Sequence, residues 1–408
     1  MLRGPLDRAM HIARWVALSA VVGALSGLLS AAFIESLDWA TRTRNTHDRL
    51  ILLLPVAGLV IGLAYRHLGK GLERGSNLII EQIHEHSEWI PFRLTPLIFV
   101  SSIVGHLFGA SVGREGAALQ LAAGVTDPMS RALKLNSVDR SLMLITAVAG
   151  GFGSVFGVPV AGAVFALEVH RAGRVRYEAL VPAFTASFIG DAVVRGLGVH
   201  HTLFPGVPSF GWTTGLALRV VGFGVCAGLI AMLFVHLTHS IKRVMTSTIA
   251  WSPLRPFLGG IAVAALILAF GWQGYAGVSI PLALAAMHGA VGGQWLTKLV
   301  LTSMSIGTGF VGGEVIPLFV IGSLAGASWA HITGANVALF AVVGSVAVLA
   351  AAANTPLACT LMGIELFGGN GVVLFALVCA AAYATSGRTG IYHAQKVAVP
   401  KNGAAPSK

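Results

Sequence analysis

The chain has 408 residues, of which 55% are hydrophobic and only 11% charged, with a mean hydropathy of +0.79. Water-soluble domains carry about 25% charged residues, so this composition excludes a soluble enzyme or binding module and describes an integral membrane protein with little aqueous mass. The net charge of +11 does not point to nucleic acid, because the basic residues fall in short loops between apolar stretches, as cytoplasmic anchoring requires.

Arg3, Arg8 and Arg14 outweigh Asp7 at one end, and Arg388, Lys396, Lys401 and Lys408 stand without acids at the other. Both termini are therefore expected on the cytoplasmic side of a multi-pass protein in the inner (plasma) membrane, although the loop with Arg42, Arg44 and Arg49 is also basic. The first apolar segment runs on to Glu35, Asp38 and further spans without a clear cleavage site, so it reads as a retained helix. Cys226, Cys359 and Cys379 lack paired or metal-like spacing and read as free thiols in apolar segments.

In chain order, residues 11–36 and 50–65 form two apolar helices, followed by a polar turn at 66–74. Ile79, Ile80 and Ile83 at helical spacing predict a short amphipathic helix capped by Ser76 or Asn77. Residues 94–110 lead into Ser111-Val112-Gly113-Arg114-Glu115-Gly116, where a carboxylate sits between glycines at the start of another apolar helix. A turn is expected around 127–139. The uncharged run 141–167 then breaks at its glycines and Pro159 into at least two helices. Helices follow over 178–196, 212–246 and 256–272, and one near Lys298 leads to Gly312-Gly313-Glu314. From Val315 to Ile364 no Asp, Glu, Lys or Arg occurs, which predicts several short helices meeting inside the membrane before a final one at 371–385.

An internal repeat organises these elements. Val112-Gly113-Arg114-Glu115 matches Val311-Gly312-Gly313-Glu314 at an offset of 199, and Pro159-Val160-Ala161…Glu168 matches Pro356-Leu357-Ala358…Glu365 at 197. The expected architecture is one all-α membrane domain over 1–408, with a first half at 12–196, a second, inverted half at 212–398, and a short polar tail at 399–408. Broken helices from inverted halves meet near the bilayer midplane, where transporters bind their substrates.

Helix starts present free N–H groups and a positive dipole end, and glycine lets an anion approach the backbone. An intramembrane carboxylate there is a functional candidate. Ionised, Glu115 competes with a soluble anion for the same donors; protonated, it vacates them. Glu314 holds the matching place in the second half, where Gly312 and Gly313 free the backbone. Ser76 and Asn77 offer side-chain and backbone donors, and Tyr392 offers a hydroxyl. Glu168 and Glu365 close helices and are expected to be solvated or salt-bridged. His84-Glu85-His86 misses the spacing of a helical zinc site and reads as polar surface. No cofactor or metal is expected, nor the nucleophile-and-base set of an enzyme.

At these residues the chain resembles the CLC family of chloride channels and proton-coupled anion antiporters, over nearly the whole membrane domain. Gly113-Arg114-Glu115-Gly116 is similar to the family's gating-glutamate motif, Gly157-Val158-Pro159-Val160-Ala161-Gly162 to its Pro-Leu-Ala-Gly helix start, and the stretch from Gly312 through Val315 and Ile316 to Phe319 to its second anion-binding helix. The resemblance implies a CLC-like bundle of tilted and broken helices, a homodimer with one pore per subunit, and no appended cytoplasmic regulatory domain. Asn77-Leu78-Ile79, Gly312-Gly313-Glu314-Val315 and Gly390-Ile391-Tyr392 look like the fluoride-exporting branch, with Glu115 as gate, Glu314 as a second acid in the anion or proton path and Tyr392 as the central tyrosine. By the same resemblance, Gly113, Arg114 and Gly116 belong to the anion-binding set. Val169 stands where chloride/proton antiporters carry an internal glutamate. Ser76 is the chloride-type residue where fluoride exporters usually have Asn or Met, and Ile316 replaces their usual Thr. The implied activity is proton-coupled fluoride export, with chloride/proton exchange or passive anion conduction as the alternative.

Overall fold

The computed structural model describes residues 5–387 and 389–397; Arg3, Arg388 and the expected tail at 399–408, with Lys401 and Lys408, lie outside the described residues. The first half comprises α1 (Pro5–Thr46), α2 (Leu54–Leu68), α3 (Ser76–Glu85), α4 (Leu94–Phe108), α5 (Glu115–Ala132), α6 (Ser137–Phe156), α7 (Pro159–Val169) and α8 (Leu180–Gly196). The second half repeats the order with α9 (Thr214–Thr248), α10 (Leu254–Phe270), α11 (Ile280–Met287), α12 (Trp295–Thr308), α13 (Val315–Thr333), α14 (Val337–Ala353), α15 (Pro356–Phe367) and α16 (Val372–Thr385). Five segments among the described residues are long and apolar enough to cross a bilayer, and several helices in the middle of each half are shorter. Helix α11 has no counterpart in the elements expected from sequence.

The correspondence extends to the ends of the helices. Helices α4 and α12 both stop at a left-handed glycine, Gly109 (φ 96°) and Gly309 (φ 109°), a conformation that costs glycine little. Asn136 and Asn336 cap α6 and α14 by accepting from the Asp139 and Leu339 N–H groups, both at 2.9 Å. Proline opens both α7 and α15, where its missing N–H is no loss.

Inside lipid, helices associate through close packing of small side chains. A buried stripe of Ser19, Gly23, Ser26, Gly27 and Ser30 on α1 packs against α8 through its glycines and against α6 through Ser26 and Ser30. A methyl group added at Gly23 would stand 2.6 Å from the Ala186 carbonyl oxygen, and one at Gly27 would stand 2.6 Å from that of Gly190. Three sequence expectations are corrected here. Gly150, Gly151 and Gly153 do not interrupt α6, which runs through them to Phe156; they admit neighbouring backbone instead, Gly151 lying against Ala118. The break comes only at Gly157 and Val158. The turn expected at 127–139 is confined to 133–136, because Asp127 is buried within α5, bonded to Arg140 through two 2.7 Å contacts and to the Ile90 N–H.

The third correction concerns Glu168, which is buried, and Glu365, which is half-buried: both bind helix starts and neither pairs with a basic side chain among the described residues. Glu168 ends α7 and accepts from the Leu357 and Ala358 N–H groups (3.3 and 3.0 Å) that open α15. Glu365 near the end of α15 accepts from Val160 and Ala161 (2.9 and 2.7 Å) that open α7. Each carboxylate caps the other half's helix, as a local two-fold relation requires. Four N–H groups that no carbonyl can reach are thereby satisfied. Removing one carboxylate strands two buried donors. We expect Glu365→Ala to lower unfolding stability in detergent by about 2 kcal/mol, and Glu365→Gln, which keeps one acceptor, by less; tryptophan fluorescence during denaturation measures both.

Candidate functional site

The two halves meet where their glycine loops face each other. The Gly113 N–H donates to the Gly313 carbonyl (2.6 Å) and the Gly313 N–H donates back to the Gly113 carbonyl (2.8 Å), a two-bond antiparallel bridge. Only glycine fits at this distance. A methyl group at Gly313 would stand 2.5 Å from the Gly116 nitrogen, and one at Gly113 would stand 2.9 Å from the Gly313 oxygen and 2.7 Å from Pro317. Gly312 is similarly closed by Val112. The bridge therefore holds the starts of α5 and α13 head to head, and both positive dipole ends converge on one point.

Glu115, the first residue of α5, is fully buried at that point. Its Oε2 accepts from the Ile316 N–H in the first turn of α13 and from the Arg114 N–H, both at 3.3 Å. The Arg114 Nε lies 3.4 Å from Oε1 without hydrogen-bond alignment, so Oε1 has no hydrogen-bond partner. The Arg114 guanidinium is thus turned toward the carboxylate and does not line the open cavity, and it is the Arg114 backbone N–H that reaches the carboxylate oxygen. Val315 and Ile316 contribute backbone at the start of α13, with their side chains in the core.

Beyond Glu115 a vestibule of about 220 Å³ opens to one face of the molecule, lined by Ser76, Asn77, Gln120, Gly312, Glu314 and Tyr392. Gly116 links the two compartments, since a methyl group there would stand 3.5 Å from the Ser76 hydroxyl and 3.6 Å from Glu314 Oε2. Glu115 is therefore sealed in protein, whereas Glu314 borders the open space. The outer walls carry Arg66, Lys242 and Arg255 against Glu73, while Arg74 is paired with Glu81 and Glu88; the remaining excess of positive charge concentrates anions.

Ser76 and Asn77 sit differently from the expected N-caps. Gly75, at φ 58°, is the cap of α3 and no side chain caps the helix. This frees the Ser76 hydroxyl to donate weakly, at 3.4 Å, to the Gly116 carbonyl, which also accepts from Gln120 Nε2 at 3.1 Å. The Asn77 N–H closes a turn on Arg74, and its side-chain oxygen accepts from the Ala394 N–H at 3.0 Å. Asn77 is accordingly a positioning residue for the segment that carries Tyr392.

That segment, 390–397, is strapped across the molecule. Ile391 N–H bonds the Ala352 carbonyl, Gln395 bonds Asn354, Val169 and Ala353, and Lys396–Val397 pairs in parallel with Arg171–Ala172. The strap holds Tyr392 buried, against a small apolar cavity bordered by Ile79, Leu119, Val148 and Val169. Its hydroxyl has no hydrogen-bond partner and lies within electrostatic reach of Glu314 and Glu115. Other buried hydroxyls, those of Ser19, Ser26 and Ser187 among them, also lack a hydrogen-bond partner, but Tyr392 borders the vestibule together with Glu314. Gln120 was not foreseen. Its signal was a lone amide one turn past Gly116, inside an otherwise apolar run.

His84 and His86 bond the His170 carbonyl and the Ser141 hydroxyl respectively. Cys226, Cys359 and Cys379 are free.

With this geometry in hand, comparison with known proteins is direct. The profile of the voltage-gated chloride channel family matches residues 57–387, and the chain belongs to that family, whose members are channels and transporters, not enzymes. It is 43% identical to the "Chloride/fluoride channel protein" of Pseudomonas syringae pv. tomato, over 97% of this chain and 89% of that one. It is 25% identical to the "H(+)/Cl(-) exchange transporter ClcA" of Yersinia pseudotuberculosis, over 88% and 81%. Among solved structures, a CLC-type fluoride/proton antiporter superposes with a TM-score of 0.92 at 31% identity, covering 95% of this chain and 99% of that one. A slow cyanobacterial Cl⁻/H⁺ antiporter shares the fold at 17% identity (TM-score 0.80). The chain is thus an all-α, multi-pass ion-transport protein built as a CLC-type inverted repeat.

Because the Tyr392 hydroxyl is unpartnered, Tyr392→Phe removes nothing that the fold uses. We expect unfolding stability to be unchanged or slightly higher, while halide affinity, read by titration calorimetry, falls about tenfold or more for the loss of a donor to a charged acceptor.

Proposed function

We propose that the protein is a proton-coupled antiporter that exports fluoride from the cytoplasm in exchange for protons. The observation that carries this reading is the Glu115 carboxylate bonded to the first turn of α13. A titratable anion already fills the spot where two helix starts would hold a halide. In the proposed cycle, protonation of Glu115 weakens its hold on the Ile316 and Arg114 N–H groups, and the side chain leaves. Fluoride moves in from the vestibule, past Ser76 and the Tyr392 hydroxyl. Return of the ionised carboxylate expels it. Glu314, at the matching helix start and on the vestibule wall, is the second acid and passes protons between the vestibule and the gate. Gly113, Gly116, Gly312 and Gly313 keep the passage narrow enough for backbone to touch the ion.

The chemistry of the cargo gives the purpose. Hydrogen fluoride is a weak acid that crosses membranes neutral and ionises in the cytosol, so the trapped anion must be driven out. The basic mouth formed by Arg66, Lys242 and Arg255 supports placing the vestibule on the cytoplasmic side of the inner membrane, together with both termini. The two halves, 12–196 and 212–398, are read as inverted copies within one membrane domain that assembles as a homodimer. The names of two similar proteins, a chloride/fluoride channel and a fluoride/proton antiporter, support fluoride as cargo. A second reading, chloride/proton exchange or passive conduction, is favoured by the Ser76 hydroxyl at the vestibule and the apolar Ile316 at the gate.

Reconstituted vesicles decide between them. On an imposed fluoride gradient, the vesicles take up protons as fluoride leaves, and a matched chloride gradient drives much less exchange. Glu115→Gln leaves fluoride flux without proton movement. Fluoride flux with no pH change in the unaltered protein would reduce the assignment to a channel, and chloride exchange at an equal rate would remove the fluoride preference.

A further inference from the structure

The vestibule wall holds two histidines that the mechanism above does not use. His239 on α9 and His393 on the strap face each other with ring centroids 3.7 Å apart and planes at 29°. Both line the vestibule together with Glu314 and Tyr392, the latter being the neighbour of His393 in sequence. His239 is half-buried and His393 exposed, so the pair meets the aqueous side of the cavity.

Two imidazoles in face contact can share one proton, and a second is opposed by like charge at that separation. Other charges surround the pair. Lys242 and His236, on the same helix, are within electrostatic reach of His239, and Lys242 also reaches Glu314. From the facing walls come Arg66 on α2 and Arg255 on α10, with Arg74 before α3 paired to Glu81 and Glu88, against the acids Glu73 and Glu314. An anion entering this space offsets the repulsion, so anion entry and proton uptake favour each other by the same free energy.

We propose that His239 and His393 form a shared one-proton site, which an anion in the vestibule helps to load from Glu314 and which then releases its proton to the cytoplasmic side. The hand-over breaks a carboxyl O–H bond at Glu314 and forms an imidazolium N–H bond through vestibule solvent, with no change of oxidation state. This rests on the antiporter reading and adds to it where the proton is last held before it leaves the protein.

The test uses the full chain in vesicles, with fluoride and proton fluxes recorded across about pH 5 to 8 on the vestibule side, where imidazole titrates. In the unaltered protein both fluxes change through that window. The double variant His239→Gln/His393→Gln is expected to slow both about tenfold or more and to flatten the pH profile. His393→Gln alone, at an exposed position, gives the same readout with less risk to folding. Fluxes and profile like the unaltered protein's overturn the proposal. So does a uniform slowing that keeps the profile's shape, because the pair is then only a wall. If the unaltered protein moves no protons, it is the antiporter reading that fails.

Discussion

Two peptide groups facing each other across the local two-fold relation carry the rest of the structure. The Gly113–Gly313 bridge joins backbone to backbone with no side chain between. It fixes the starts of α5 and α13 at a separation where the free N–H groups of both can serve one anion. Every other part of the site is measured from that contact. Glu115 reaches Ile316 because the bridge brings α13 to it, and Glu314 and Ser76 flank Gly116 because Gly313 presses on it.

The same economy of symmetry appears deeper in the protein, where Glu168 and Glu365 cap each other's partner helices. There both oxygens of each carboxylate accept a helix-start N–H, so they serve the fold. Beside the glycine bridge one Glu115 oxygen has only the unaligned Arg114 guanidinium, and the Tyr392 hydroxyl on the vestibule has no hydrogen-bond partner. The contrast between Glu115 and the two capping glutamates, three residues with the same side chain, separates the candidate site from the scaffold. Burial alone does not.

Much of this was legible in the sequence, for physical reasons. An uncharged run of fifty residues cannot fold in water, and glycine-flanked glutamates at matching places in two halves have few structural uses. What stayed hidden were pairings between distant residues. The cap of Glu365 on α7 spans about two hundred residues and leaves no local pattern. Ser76 reads as an N-cap because serine usually is one, yet Gly75, with its positive φ, takes that place. Asn77 reads as a donor, but the strap it binds lies more than three hundred residues away. Gln120 went unremarked because one amide barely perturbs an apolar pattern. In each case tertiary contact overrode a sound local rule.

The central claim is that the Glu115 carboxylate and a halide take turns at one place. The direct measurement is calorimetric titration of the purified protein with fluoride in buffers of differing ionisation enthalpy, which counts protons taken up per anion bound. The account predicts uptake of about one proton per fluoride as the displaced carboxylate is neutralised, and none after Glu115→Gln. Fluoride binding with no proton uptake in the unaltered protein would contradict it.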